Sequence, residues 1–105
     1  MKQVMVRYRV KPSEVARNEE LIRAVYAELE ATEPPGLHYA TFKLDDGVSF
    51  VHLAFGDGQS SLSELDAFRH FQEGINDRCD QPPVVTAISE IGSFRVFGSL
   101  YRHSS

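Results

Sequence analysis

One stretch, Leu37 to Phe55 (LHYATFKLDDGVSFVHLAF), limits the folds open to this chain more than any other. Two runs rich in β-branched and aromatic residues meet at Asp46-Gly47. An Asp-Gly pair so flanked is a strong hairpin signal, because a type I′ turn needs positive φ at both central positions. With Asp46 and Gly47 as the loop, Phe42 falls opposite Val51, Ala40 opposite Leu53 and His38 opposite Phe55, which gathers one strongly apolar face. The other face pairs Tyr39 with Ala54, Thr41 with His52 and Lys43 with Phe50, and it is mixed. A slip by one residue scatters polar and apolar side chains over both faces, so the pattern selects this register.

The flanks are read in relation to that hairpin. Val4, Val6, Tyr8 and Val10 alternate with Gln3, Met5, Arg7 and Arg9, the period-two pattern of a first strand. Lys11-Pro12 ends it, and Ser13 is placed to cap a helix whose apolar stripe is Val15, Ile22, Val25, Tyr26 and Leu29. That helix should run to about Glu33, where Pro34-Pro35-Gly36 removes donors and disfavours the α region. After Phe55, GDGQSS lacks the Gly-Lys-Ser/Thr ending of a phosphate cradle and is read as a plain loop. Ser61 and Glu64 have capping-box spacing, so a second helix is expected from near Leu62, burying Leu65, Phe68, Phe71 or Gln72, Ile75 and Cys79. Asp80-Gln81-Pro82-Pro83 should end it. The last run, Val84 to Phe97, is too long for one ordinary strand and changes parity at Gly92, which predicts a bulge or bend there.

The expected class is therefore α+β, a ferredoxin-like βαββαβ domain over residues 1–98 with a C-terminal tail at 99–105. In it a four-stranded antiparallel sheet carries two helices on one face. With the Phe42, Val51, Leu53 and Phe55 face beneath the helices, Tyr39 and Phe50 point outward, too much apolar surface to leave in water. A homodimer through the sheet faces is the economical cover.

Composition narrows the function classes. The 105 residues carry a formal net charge of -4, so the basic stripe of a phosphate-backbone binder is lacking and no nucleic-acid partner is expected. No apolar run approaches the roughly 20 residues that span a bilayer, so no membrane partner is expected either. Cys79, the single cysteine, cannot form an intrachain disulfide, and MKQVMVRYRV alternates with charges, so a cytoplasmic location is the default.

The order of elements, the Pro-Gly before the second strand, the hairpin in GLHYATFKLDDGVSFVHLAF and the HFQ at residues 70 to 72 resemble the dimeric α/β-barrel proteins of the antibiotic biosynthesis monooxygenase type. The resemblance covers about residues 3 to 97. It implies a dimer in which two sheets face each other, the late part of the last strand crossing to the partner, and a small-molecule cavity between sheet and helices. The substrate anion itself supplies electrons to dioxygen in that family, so no cofactor is implied. This chain departs from the family in having no Trp, in ending its third strand Leu53-Ala54-Phe55-Gly56 instead of Glu-Arg-Trp, and in lacking a His among Leu62 to Ala67.

Three side chains are candidates for chemistry. His52, a mid-strand imidazole on the mixed face, could take a proton from an acidic phenol or enol, and Tyr39 could donate to a substrate oxygen. His70, beside Phe71 on the second helix, is held in reserve. The plainer roles are a structural His52 bonded to Thr41, a Tyr39 at the dimer interface and a solvated His70. No His-x-His or Glu-x-x-His pattern occurs and Cys79 has no sulfur partner, so no metal is expected. Cys79 reads as an inert buried thiol. Two functions stay open: a cofactor-independent monooxygenase-like enzyme acting on a small aromatic or enolisable metabolite, or a non-catalytic small-molecule-binding or accessory protein.

Overall fold

A computed structural model describes residues 3–56 and 59–95. Strands β1 (Gln3–Val10), β2 (His38–Lys43), β3 (Ser49–Phe55) and β4 (Cys79–Ala87) form one antiparallel sheet in the order β2-β3-β1-β4. Helix α1 (Val15–Thr32) follows β1, and helices α2 (Asp66–Gln72) and α3 (Ile75–Arg78) lie between β3 and β4. The α+β ferredoxin-like arrangement is the one the sequence suggests.

The hairpin register holds throughout, with Phe42 opposite Val51, Thr41 opposite His52 and Tyr39 opposite Ala54. Its turn is different. The Gly47 amide donates to Leu44 O at 3.0 Å and the Leu44 amide to Ser49 O at 2.9 Å, a four-residue loop in which Gly47 has φ 78° and Asp46 is not among the positive-φ residues. Asp46 instead folds back: its carboxylate accepts from the amides of Val48 and Ser49 at 2.9 and 2.8 Å and from the Ser49 hydroxyl at 2.6 Å. The short acidic side chain replaces the second left-handed residue that a type I′ turn would need.

The face beneath the helices is the opposite of the one suggested by the hairpin alone. Phe50, His52 and Ala54 are buried, while Phe42 is 50% exposed and Val51, Leu53 and Phe55 are only half-buried. The deciding partner is β1, whose Tyr8 lies opposite Phe50, Val6 opposite His52 and Val4 opposite Ala54. Together with Val10, these make the inner face continuous and apolar, and Leu21, Ile22 and Val25 of α1 pack on it.

The helical segments also depart from expectation. Ser13 does not cap α1; residues Pro12–Glu14 form a 3-10 turn and Glu14 stands at the N-cap without a side-chain bond. Residues Gln59–Glu64 are 3-10 where the capping box predicted the start of an α-helix, and α2 begins only at Asp66. At Gly74, with φ 71°, the path breaks between α2 and α3. Cys79 opens β4 instead of closing a helix, and Pro82-Pro83 lie inside that strand. An edge strand tolerates them because the register to β1 shifts between Arg7 and Arg9, where the prolines sit. Strand β4 stops at Ala87, before the bend expected at Gly92. The Asp57-Gly58 part of the loop, the return of the final run at Val96 and Phe97, and the tail at 99–105 lie outside the described residues.

Candidate functional site

The inner face of the sheet and the second helical region do not meet everywhere. Between them is a cavity of about 430 Å³, lined by Val4, Val6 and Ala54 of the sheet and by Leu62, Phe68 and Phe71 from above, with Tyr8, Tyr39 and His52 supplying polar atoms. It also reaches Val85 of β4, which is 67% exposed, so the cavity opens at that side of the sheet. A volume of this size accommodates a small organic molecule, and walls this apolar favour a hydrophobic one.

His52 is 4% exposed, held between two phenols. Its Nε2 lies 2.7 Å from the Tyr8 hydroxyl and its Nδ1 lies 2.7 Å from the Tyr39 hydroxyl and 3.1 Å from Thr41 Oγ1. The Tyr26 hydroxyl lies 2.8 Å from the same Thr41 oxygen. The Phe71 ring sits 5.4 Å from the imidazole, with Tyr8 and Tyr39 at 5.3 and 5.8 Å, an aromatic surround for the ring. Burial accordingly lowers the His52 pKa from 6.5 to about 4, so the imidazole is neutral at pH 7. Burial also raises the Tyr8 and Tyr39 hydroxyls well above the usual phenol range, and both remain protonated.

Behind Tyr8 the network continues into the core. The Asn18 amide of α1, fully buried, donates from Nδ2 to the Tyr8 hydroxyl at 3.0 Å. Asn18 Oδ1 in turn accepts from Arg78 Nε at 3.2 Å. The Arg78 guanidinium, 7% exposed, also donates to Phe71 O at 2.7 Å and Glu73 O at 3.0 Å, and it stands 5.3 Å from the centre of the Phe71 ring. It thus ties the C-terminal carbonyls of α2 to the break at Gly74, a good place for a cation because those carbonyls have no helical donor.

The sequence candidates are sorted by this geometry. His52 and Tyr39 meet at 2.7 Å and both line the cavity. His70 stands apart on the exposed side of α2, with Nδ1 3.2 Å from Glu73 Oε1 and Nε2 3.5 Å from Arg17 Nη2. Tyr8, Asn18 and Arg78 were not singled out by sequence. Asn18 did leave a signal, since it interrupts the apolar spacing Val15, Ile22, Val25 with a polar residue on the buried face. Among the described residues, no three His, Cys, Asp or Glu side chains converge as metal ligands would.

Solved structures with the same chain path place this geometry in context. An antibiotic biosynthesis monooxygenase superposes with a TM-score of 0.69 at 21% identity, covering 88% of this chain and 100% of its own. The fold is that of the antibiotic biosynthesis monooxygenases. SnoaB of Streptomyces nogalater, a cofactor-independent oxygenase, superposes on 89% of this chain and 95% of its own with a TM-score of 0.65 and 13% identity. Rv0793 of Mycobacterium tuberculosis gives 0.69 at 16% identity, over 88% and 96% of the two chains. No family model matches the sequence, and comparison with curated proteins gives no match. At these identities the monooxygenase likeness speaks for the fold alone, and the chemistry must be argued from the residues.

Proposed function

We propose that this protein is a cofactor-independent monooxygenase-like enzyme that takes up a small aromatic or enolisable metabolite between its sheet and helices. The observation that carries this reading is the cavity itself: apolar walls, with Tyr8, Tyr39 and His52 grouped as the polar end. A planar ring would lie along the walls and present its oxygen to that group. His52 is in its basic form at neutral pH, and Tyr39 provides the hydroxyl next to it. An isolated imidazolium is disfavoured there, so a proton can move to His52 only as the ligand's anion forms beside it. That anion then gives its electrons to dioxygen. For an enolisable CH₂ becoming C=O, one oxygen atom enters the product and the other leaves as water with the two hydrogens.

Protein purified from its host, examined by native mass spectrometry and visible absorption, should carry a bound aromatic. With that molecule as substrate, His52→Ala is expected to lower dioxygen uptake at least 100-fold and Tyr39→Phe to lower it as well, in the range of general acid–base effects. Uptake unchanged in His52→Ala removes the assignment. The second reading, a non-catalytic binding protein, is favoured by one feature: both nitrogens of His52 already have protein partners. Binding without dioxygen consumption would select it.

The reading includes a cytoplasmic homodimer joined through the sheet faces. Its support is the outer face, where Phe42 is 50% and Val84 61% exposed, and the segment after β4, where Ile91 is 99% and Phe94 77% exposed. Sedimentation at micromolar concentration should give twice the chain mass, and Phe42→Asp with Val84→Asp should shift it to the monomer. A folded wild-type monomer would overturn the pairing.

A further inference from the structure

We infer that Arg78 and Asn18 are positioning residues that fix the tautomer of His52 through Tyr8 and thereby keep the Tyr39 hydroxyl hydrogen off His52, so that an acceptor oxygen brought by a ligand can take it. The inference deepens the reading above and rests on it for the ligand class.

Hydrogens are accounted for one by one along a single chain of contacts. A guanidinium has donors only, so the Asn18 atom 3.2 Å from Arg78 Nε must be the carbonyl oxygen, and the amide cannot flip. Asn18 Nδ2 therefore faces Tyr8 and donates to its hydroxyl at 3.0 Å. The Tyr8 hydroxyl, with that side taken by a donor, has one acceptor within reach among the described residues, His52 Nε2 at 2.7 Å. Tyr8 is 2% exposed and its cavity side is apolar, so giving its hydrogen elsewhere would leave a buried donor unsatisfied, whereas the Tyr39 hydroxyl has Thr41 as a further partner. Nε2 is thus an acceptor, carries no hydrogen, and takes a ligand proton only by way of the Tyr8 hydroxyl, which also lines the cavity.

A neutral imidazole has a single N–H, which must then be on Nδ1. Nδ1–H donates to the Tyr39 oxygen at 2.7 Å, with Thr41 Oγ1 a longer alternative at 3.1 Å. The Tyr39 oxygen is an acceptor on its protein side. Its own hydrogen can turn to Thr41, which also bonds the Tyr39 hydroxyl, or to an acceptor brought into the cavity that the ring lines. A carbonyl or enolate oxygen satisfies that hydrogen, and a ligand with no acceptor there does not. The cationic end of the chain does not line the cavity and stands behind the Phe71 ring. Its part in the relay is to fix the orientation of an amide.

Asn18→Asp tests the relay with almost no change in shape. A carboxylate beside Arg78 offers Tyr8 an acceptor in place of a donor, so the Tyr8 hydrogen turns to residue 18. Nε2 then carries the imidazole proton, and Nδ1 takes the hydrogen of Tyr39. Long-range proton–nitrogen correlation spectra of ¹⁵N-histidine protein at pH 7 read which His52 nitrogen is protonated. The expected result is Nδ1–H in the wild type and Nε2–H in Asn18→Asp. An Nε2–H wild type, or the same tautomer in both, overturns the inference. If Asn18→Asp does not fold, the wild-type spectrum alone decides.

Binding provides the second readout, with 1-tetralone as the acceptor-bearing probe and naphthalene as the apolar one. Asn18→Asp should weaken 1-tetralone about three- to tenfold, the worth of one hydrogen bond, and leave naphthalene unchanged. Equal loss of both would overturn the directed donor. Failure of both to bind the wild type would sink the pocket reading, while the tautomer assignment would still be decided by the spectra.

Discussion

Acidification from pH 7 to pH 4 is expected to take about 3 kcal/mol of folding stability through His52 alone. The imidazole titrates near 6.5 in an unfolded chain and at about 4 where burial disfavours its charged form. Between those values the unfolded chain holds the proton and the folded one does not, so stability rises with pH across the window. The contribution is complete above about pH 6.5; a difference of roughly 2.5 units at 1.4 kcal/mol each is about 3.5 kcal/mol over the whole window, of which about 3 is lost by pH 4, where the folded imidazole is half protonated. Carboxylates titrate in the same range: Glu19 is held below its usual value by the bond from Lys43, and Asp46 by the bond from the Ser49 hydroxyl. Their depressed values also remove stability as the pH falls, in wild type and variant alike. The measurement is therefore a comparison of urea midpoints at pH 7 and pH 4 in wild type and His52→Gln at one protein concentration. The variant should lose less by about the stated amount. Equal losses would mean that His52 is protonated in the folded protein.

Phe50→Ala should destabilise the protein by about 3–5 kcal/mol, the cost of emptying a large aromatic site in a packed core. Phe50 is 2% exposed and stacks on Tyr8 with ring centroids 5.6 Å apart. Phe42→Ala is the control, since Phe42 is 50% exposed and its loss should change the stability of the single chain by well under half as much. Denaturant titration at a concentration that keeps both variants monomeric checks the pair. The reverse order would put the other hairpin face under the helices.

That control also marks where sequence reasoning ends. The hairpin register was legible because both strands lie in one short stretch and only one pairing keeps their side chains sorted. Which face turns inward was not legible there. It depends on Tyr8 meeting Phe50 and Val6 meeting His52, partners more than 40 residues apart in the chain. The second helix was misread for a local reason: Leu65, Phe68 and Ile75 have helical spacing, yet Gly74 adopts φ 71° and turns the chain between the last two. Cys79 continues that spacing but belongs to β4, because the pull of an edge pairing with Val10 outweighs local periodicity.

For the site, His52 and Tyr39 were legible from the hairpin alone, since the register puts both side chains on one face. Their partners were not. Asn18 and Arg78 are 60 residues apart and meet only when α1 and the break after α2 close on the same end of the core. A lone polar residue on an apolar helix stripe was the trace they left.

The adjacent prolines in β4 have a further effect on how this molecule behaves in a crowded solution. Consecutive amides of a strand point alternately to its two sides, so Pro82 and Pro83 delete one donor facing β1, where the register shift absorbs it, and one facing outward. A stray extended peptide that tried to lengthen the sheet there would find no hydrogen to bond. Open-ended fibrous growth is discouraged along that border, while the outer face that exposes Phe42 and Val84 carries no such block.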